Sequence, residues 1–174
     1  YISMSGYYRL KEAFNVIDKT ANDILDLFKQ HYNMFDQFNI IGVSLGGMVA
    51  YLLATRTEKI NRLIPIVSTP DFLKQAYYAI GDANIDTKKF FTKDKLKYID
   101  FLDPLPKYKN WKYNELAIFI NDNDHMVPPR STLKFIKNHP EMVTIYQVFH
   151  DKHNVSRPMQ EAVLSYINGK KVTL

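Results

Sequence analysis

Apolar residues recur along this chain with two periods, and the periods alternate. Across residues 9 to 32, Leu10, Phe14, Ile17, Ala21, Ile24, Leu25 and Phe28 fall three or four apart, which predicts a long amphipathic helix. A short apolar run over 38 to 43, ending Gly-Val, predicts a buried strand, and 45 to 55 a helix directly after it. Residues 63 to 67 and 116 to 121 predict two more buried strands, and the β-branched and aromatic stretch 143 to 149 predicts a fourth. Pro128-Pro129 opens a predicted helix over 129 to 138, and His139-Pro140 closes it. A last helix is predicted over 157 to 168, with Pro158 near its start and Gly169 just past its end.

Strand and helix alternate, which argues an α/β fold with a mostly parallel sheet and helices on both faces. Parallel strands need crossovers, and each is present in order except between 67 and 116. That stretch is too long for a bare loop, so it is expected to hold helices of its own. Residues 70–112 therefore read as an insertion, or cap region, over the carboxyl end of the sheet, within a single domain spanning 1–174.

Composition narrows the chemistry. The 174 residues suffice for a full core, and no cysteine is present. Disulfides, Cys-ligated zinc, iron–sulfur clusters and thiol catalysis are excluded. No run approaches the roughly 20 apolar residues of a membrane span. No signal-peptide pattern is visible either, so a cytoplasmic location and no membrane partner are expected. The net charge of +5 does not mark a nucleic-acid binder. Lys88, Lys89, Lys93, Lys95 and Lys97 are interleaved with Asp82, Asp86, Asp94 and Asp100, as on a solvated face. Phosphate-cradling glycine loops are absent, and so are H-x-x-x-H and H-E-x-x-H spacings. No cofactor and no metal are expected, although His125 stands beside Asp124. His31 and His139 read as helix-end residues.

The sharpest motif is Gly42-Val43-Ser44-Leu45-Gly46, a G-x-S-x-G between a predicted strand and a predicted helix. By composition alone such a pattern arises in roughly one chain in twenty of this length, so its strand–turn–helix setting carries the weight. A serine at so sharp a turn is held strained, with its hydroxyl projecting. Residues two before and two after approach each other, which predicts that Gly42 and Gly46 must both be very small; Gly47 eases the helix entry. The N–H of Leu45 is expected to face the place where an oxyanion would form, aided by the positive helix N-terminus.

Serine is a weak nucleophile without a base and an orienting acid. On such a sheet the order is Ser, then Asp or Glu, then His. The loop after the third predicted strand offers Asp122 and Asp124, and the loop after the fourth offers His150 and His153. Asp122 could instead form a turn, and His150 could be a rim residue of the sheet.

On these residues the chain resembles the α/β-hydrolase superfamily. The D-x-x-V-P pattern of Asp124 to Pro128 and the late His153-Asn154 look like that family's acid and base loops. With Gly42 to Gly47 they cover about residues 9 to 168. Within the superfamily the chain looks most like small esterases related to prolyl oligopeptidases and dienelactone hydrolases, with Asp103-Pro104-Leu105-Pro106 as a minor point of likeness. The resemblance implies Ser44 as nucleophile, His153 as general base and then acid, and Asp124, by its offset from Val127-Pro128, as the orienting carboxylate.

Two departures stand out. The family usually has glycine three residues before the acid, where this chain has Asn121; asparagine tolerates positive φ, so a left-handed turn is expected to survive there. The family also places an oxyanion loop on a strand well before the elbow, and residues 1 to 40 read as one helix with no such loop. The chain begins at Tyr1 without Met. The expectation is a piece of a longer protein, the alternatives being completion by another chain or a reduced form of the fold.

The resulting expectation is a serine hydrolase acting on small carboxylic esters. Its rivals are a peptidase of the same fold and a non-catalytic binding module. An unpaired sheet edge would invite a homo-oligomer. Phe72, Tyr77, Tyr78, Phe90, Phe91, Tyr98 and Phe101 either pack the insertion down or line a substrate pocket.

Overall fold

Each apolar run becomes a strand whose neighbours run the same way. The structure, a computed structural model, describes residues 4–31, 34–82 and 91–169. Strands β1 (Phe38–Val43), β2 (Ile60–Ile66), β3 (Glu115–Asn121) and β4 (Ile145–Phe149) pair in that order, every pair parallel. Helix α1 (Met4–His31) precedes the sheet and α2 (Leu45–Ala54) joins β1 to β2. Between β2 and β3 come α3 (Phe72–Asp82), α4 (Lys93–Leu102) and a 3-10 stretch (Leu105–Asn110). Helix α5 (Arg130–Asn138) joins β3 to β4, and α6 (Arg157–Ile167) follows β4. The helices expected within the long stretch are thus present. The expected boundaries move by a few residues, as helix and strand ends generally do.

The two central strands explain their own sequences. In β3, Leu116, Ile118 and Ile120 face one apolar cluster while Ala117 and Phe119 face the other. In β2, Leu63 joins the first cluster, and Ile64 and Ile66 join the second. A strand covered on both faces needs apolar side chains at every position, which is why these stretches do not alternate. The first cluster gathers Phe14, Ile17 and Ala21 of α1, most of α2, and Phe135 and Ile136 of α5. The second is closed by Met159 and Val163 of α6.

The edge strand β1 departs from the expected buried strand. Ile41 and Val43 are 49% and 46% exposed, although their partners across the ladder, Ile64 and Ile66, are buried. Helix α6 packs on β2, β3 and β4 and stops short of β1 on that face. Ile40 and the buried Gly42 lie on the opposite face, toward α1 and α2.

The aromatic residues of the long stretch divide. Phe72 and Phe91 are buried in the main core, and the Tyr98 hydroxyl donates to Asp18 of α1 at 2.5 Å. These three pack the stretch onto the domain. Tyr78 is half-buried, whereas Tyr77 and Phe101 are exposed. Phe90 lies outside the described residues, as do Asp86, Lys88 and Lys89. Lys93, Asp94, Lys97 and Asp100 are all exposed on α4, as a solvated face requires. Asp103, just past α4, is buried and caps α3 from a distance. Its Oδ1 accepts from Phe72 N at 3.2 Å and Leu105 N at 3.1 Å, and its Oδ2 accepts from Leu73 N at 3.2 Å. Burial pushes its carboxyl up to about 6, against the pull of those three N–H groups.

Candidate active site

The carboxyl ends of β1, β3 and β4 lie at one end of the sheet, and the segment after each delivers polar side chains there. Ser44 follows β1 directly. Its N–H donates to Ile66 O at 2.9 Å, continuing the β1–β2 ladder by one residue, while its own C=O accepts from Gly47 and Met48 and starts α2. Belonging to a ladder and a helix at once forces Ser44 to φ 53 and ψ −116, a conformation L-residues avoid. Val67, one residue past the end of β2, is likewise held at positive φ.

The glycines beside Ser44 do not share one role. A Cβ on Gly42 would stand 2.1 Å from Gly46 O, so glycine is obligatory there. A Cβ on Gly46 would meet nothing within 4 Å, which corrects the expectation that both had to be small. It is the backbone of Gly46 that comes close. Gly47 is constrained by packing rather than by helix entry, since a Cβ there would lie 2.5 Å from Ser68 Cβ.

Three of the sequence candidates come together. Ser44 Oγ and His153 Nε2 are 2.8 Å apart, and His153 Nδ1 and Asp124 Oδ2 are 2.7 Å apart. The Asp124 side chain is 1% exposed and that of His153 is 18% exposed, so the carboxylate is shielded from solvent while the ring keeps some access. The other oxygen of Asp124 accepts from Met126 N at 2.9 Å and Val127 N at 2.8 Å. Two N–H bonds on one oxygen leave the second oxygen aimed at the imidazole.

The rivals pair elsewhere. His150 Nδ1 lies against Asp122 Oδ2, with the His150 side chain 86% exposed. The two loops therefore carry parallel His–Asp pairs, and only the buried one touches Ser44. Among the described residues no group of three His, Asp or Glu side chains is arranged to hold a metal ion. His31 ends α1 and His139 caps α5, as helix-end residues.

Leu45 is the first residue of α2, so its N–H has no helical carbonyl one turn back to bond. Before β1 the described residues hold α1 and no other element. One tie was invisible in the sequence: Gln75 Nε2 on α3 donates to Met126 O at 2.7 Å, joining the long stretch to the acid loop. No short-range pattern marks such a contact. The expectation for Asn121 is overturned. Among described non-glycine residues only Ser44 and Val67 have positive φ; Asn121 is the last residue of β3, paired with Phe149 and buried. A groove of about 940 Å³ runs along the open edge of β4, between Ile136, Tyr146, Val148 and Glu161, and none of the three brought-together residues lines it.

Comparison with known proteins rests on shape, because no sequence-family model and no curated protein matches the chain. An acylaminoacyl peptidase from Pyrococcus horikoshii superposes with a TM-score of 0.68 at 19% identity, over 87% of this chain and 28% of its own. An esterase from Pyrococcus furiosus does so with a TM-score of 0.62 at 16% identity, over 87% of this chain and 61% of its own. Acetyl xylan esterase 1 from a Thermoanaerobacterium species gives 0.57 at 14% identity, over 76% of this chain and 45% of its own. The fold is that of the α/β hydrolases. The chain spans between 28% and 61% of the lengths of these three α/β-hydrolase structures. In this fold, groups at the carboxyl ends of parallel strands converge on one site, which is where Ser44, Asp124 and His153 stand.

Proposed function

We propose that the chain carries the catalytic residues of a serine hydrolase that cleaves small carboxylic esters through an acyl-enzyme. The observation that carries this reading is the unbroken hydrogen-bonded line from Ser44 Oγ through the His153 ring to Asp124. His153 Nε2 takes the Ser44 proton as the oxygen attacks the ester carbonyl, forming a tetrahedral oxyanion. Asp124 holds the proton on Nδ1, keeps Nε2 free to act as base, and stabilises the imidazolium that results. The Leu45 N–H donates to the oxyanion, and the amino end of α2 adds a favourable field. The imidazolium then protonates the departing alkoxide and leaves Ser44 acylated. Water, deprotonated by the same ring, attacks the acyl group and restores the serine.

The esterase likeness supports an ester substrate, and the strained Ser44 supports a nucleophile held for attack. The acylaminoacyl peptidase likeness favours a second reading, amide cleavage by the same residues. Leu45 is the one donor assigned among the described residues, and a single donor is typically worth about 10²–10³ in rate. The full-length protein is therefore the one to assay. A fluorophosphonate probe should label it at Ser44, and short-chain acyl esters should turn over, with both lost in Ser44→Ala. Turnover equal in the two proteins, with no labelling of either, would overturn the reading. A panel pairing each ester with its amide separates the two substrate classes.

A further inference from the structure

Asn121 is among the most buried polar residues described, at 1% exposed, and it ends the strand that leads into the Asp124 loop. Its Nδ2 donates to Lys152 O and to Asn154 O, the latter at 2.8 Å. Both partners are carbonyl oxygens, which fixes the amide: the nitrogen must lie on this side, and both of its protons are used. The two carbonyls belong to the residues immediately before and after His153.

The remaining backbone bonds around His153 are local. Asn154 N donates to Lys152 O at 2.8 Å, and Asp151 Oδ1 accepts from Lys152 N at 2.7 Å and from Asn154 Nδ2 at 3.0 Å. Among the described residues, the other hydrogen bonds of the backbone over 152–154 run within the loop. Asn121 is thus what ties the backbone around His153 to the sheet, while Asp124, three residues on, ties the ring. The cost is visible in the same side chain, for Asn121 Oδ1 is buried with no hydrogen-bond partner. A buried acceptor without a partner is unfavourable, so the side chain is held there for its donor end.

We propose that Asn121 is a positioning residue of the triad, setting through its two donated hydrogen bonds where the His153 ring stands between Ser44 and Asp124. This rests on the hydrolase reading above for its kinetic consequence, but not for its geometry. A ring displaced by about 1 Å from a productive position can lose on the order of 10²-fold in rate. Leucine has nearly the shape of asparagine and no donors. Asn121→Leu should therefore lower kcat for a short-chain ester about 10- to 100-fold, with KM within about twofold. Its second readout needs no substrate. The proton shared by His153 Nδ1 and Asp124 should give a far-downfield proton resonance in the wild type, and in Asn121→Leu that signal should shift or broaden. Asn121→Asp, equally similar in shape, sets an oxygen against the two carbonyls and serves if the leucine variant does not fold. A folded variant with wild-type kcat and an unchanged resonance would overturn the proposal. Absence of Ser44-dependent turnover in the wild type would remove the hydrolase reading instead, and the resonance alone would then decide the role of Asn121.

Discussion

Gly42 Cα faces the carbonyl of Gly46 so closely that a single added carbon would stand 2.1 Å from its oxygen. That contact sets the corner at which β1 becomes α2. It ties the ladder bond of Ser44 to the first turn of the helix, and no rearrangement of side chains relieves it, because the opposing atom is backbone.

The corner yields an asymmetric prediction. Gly42→Ala should lower stability by about 3 kcal/mol or more, or prevent folding, since the helix start must move away from the strand. Gly46→Ala, one turn along and facing open space, should leave stability unchanged or raise it by about 0.5–1 kcal/mol through the helical preference of alanine. Urea denaturation of both variants checks this, and equal losses would contradict it.

The Asp124 carboxylate makes two kinds of bond, and one substitution separates them. In Asp124→Asn the retained oxygen still accepts from Met126 N and Val127 N, so the loop should keep its fold. The amide nitrogen would face His153 Nδ1 and donate to it, driving the ring proton to Nε2, where it meets Ser44. On the proposed mechanism, kcat should fall by about 10⁴ with little change in melting temperature. Activity within tenfold of wild type would remove Asp124 from its assigned role.

The buried carboxyl of Asp103 should leave a signature in stability. Burial raises its folded pKa to about 6, above the ordinary aspartate value of 3.8. The folded state therefore holds this proton to a higher pH than the unfolded chain does. Folding takes up a proton between about pH 4 and pH 6, and the stability contributed by this group falls as pH rises through that window. Asp103→Asn keeps the shape and removes the titration. The melting temperature of the wild type should drop relative to the variant from pH 4 to pH 6, whatever constant offset the lost hydrogen bond adds. Parallel curves would show that the carboxyl titrates alike in both states.

Much of this arrangement is legible along the chain because it rests on local rules. A strand covered on both faces cannot afford polar positions, so 116–121 announces itself. A serine between a strand and a helix, flanked by glycines, marks a sharp corner. An acid and a base placed after later strands of a parallel sheet must lie at the same end as the serine, since every such strand points the same way. The less legible parts depend on what happens to lie opposite. Gly42 and Gly46 look alike in sequence and differ only in which one has backbone above its missing Cβ. Ile41 reads as a core residue by composition and is half exposed, because α6 covers its neighbour strands and not its own.

The amino-acid sequence alone thus settled the period of most elements, the order of the candidate serine, aspartates and histidines along the chain, and the exclusion of thiol and disulfide chemistry. Hydrophobic periodicity, turn geometry and residue type act over a few positions at a time. Residue type left both aspartates and both histidines open, the family resemblance singled out Asp124 and His153, and only the tertiary structure decided how they pair. Asp122 and Asp124 are two residues apart, and the pairing turned on burial and on which oxygen the Met126 and Val127 N–H groups had already claimed. It also turned Asn121 from a turn-former into a clamp, because only the folded sheet sets its carboxamide between two carbonyls of a loop some thirty residues away.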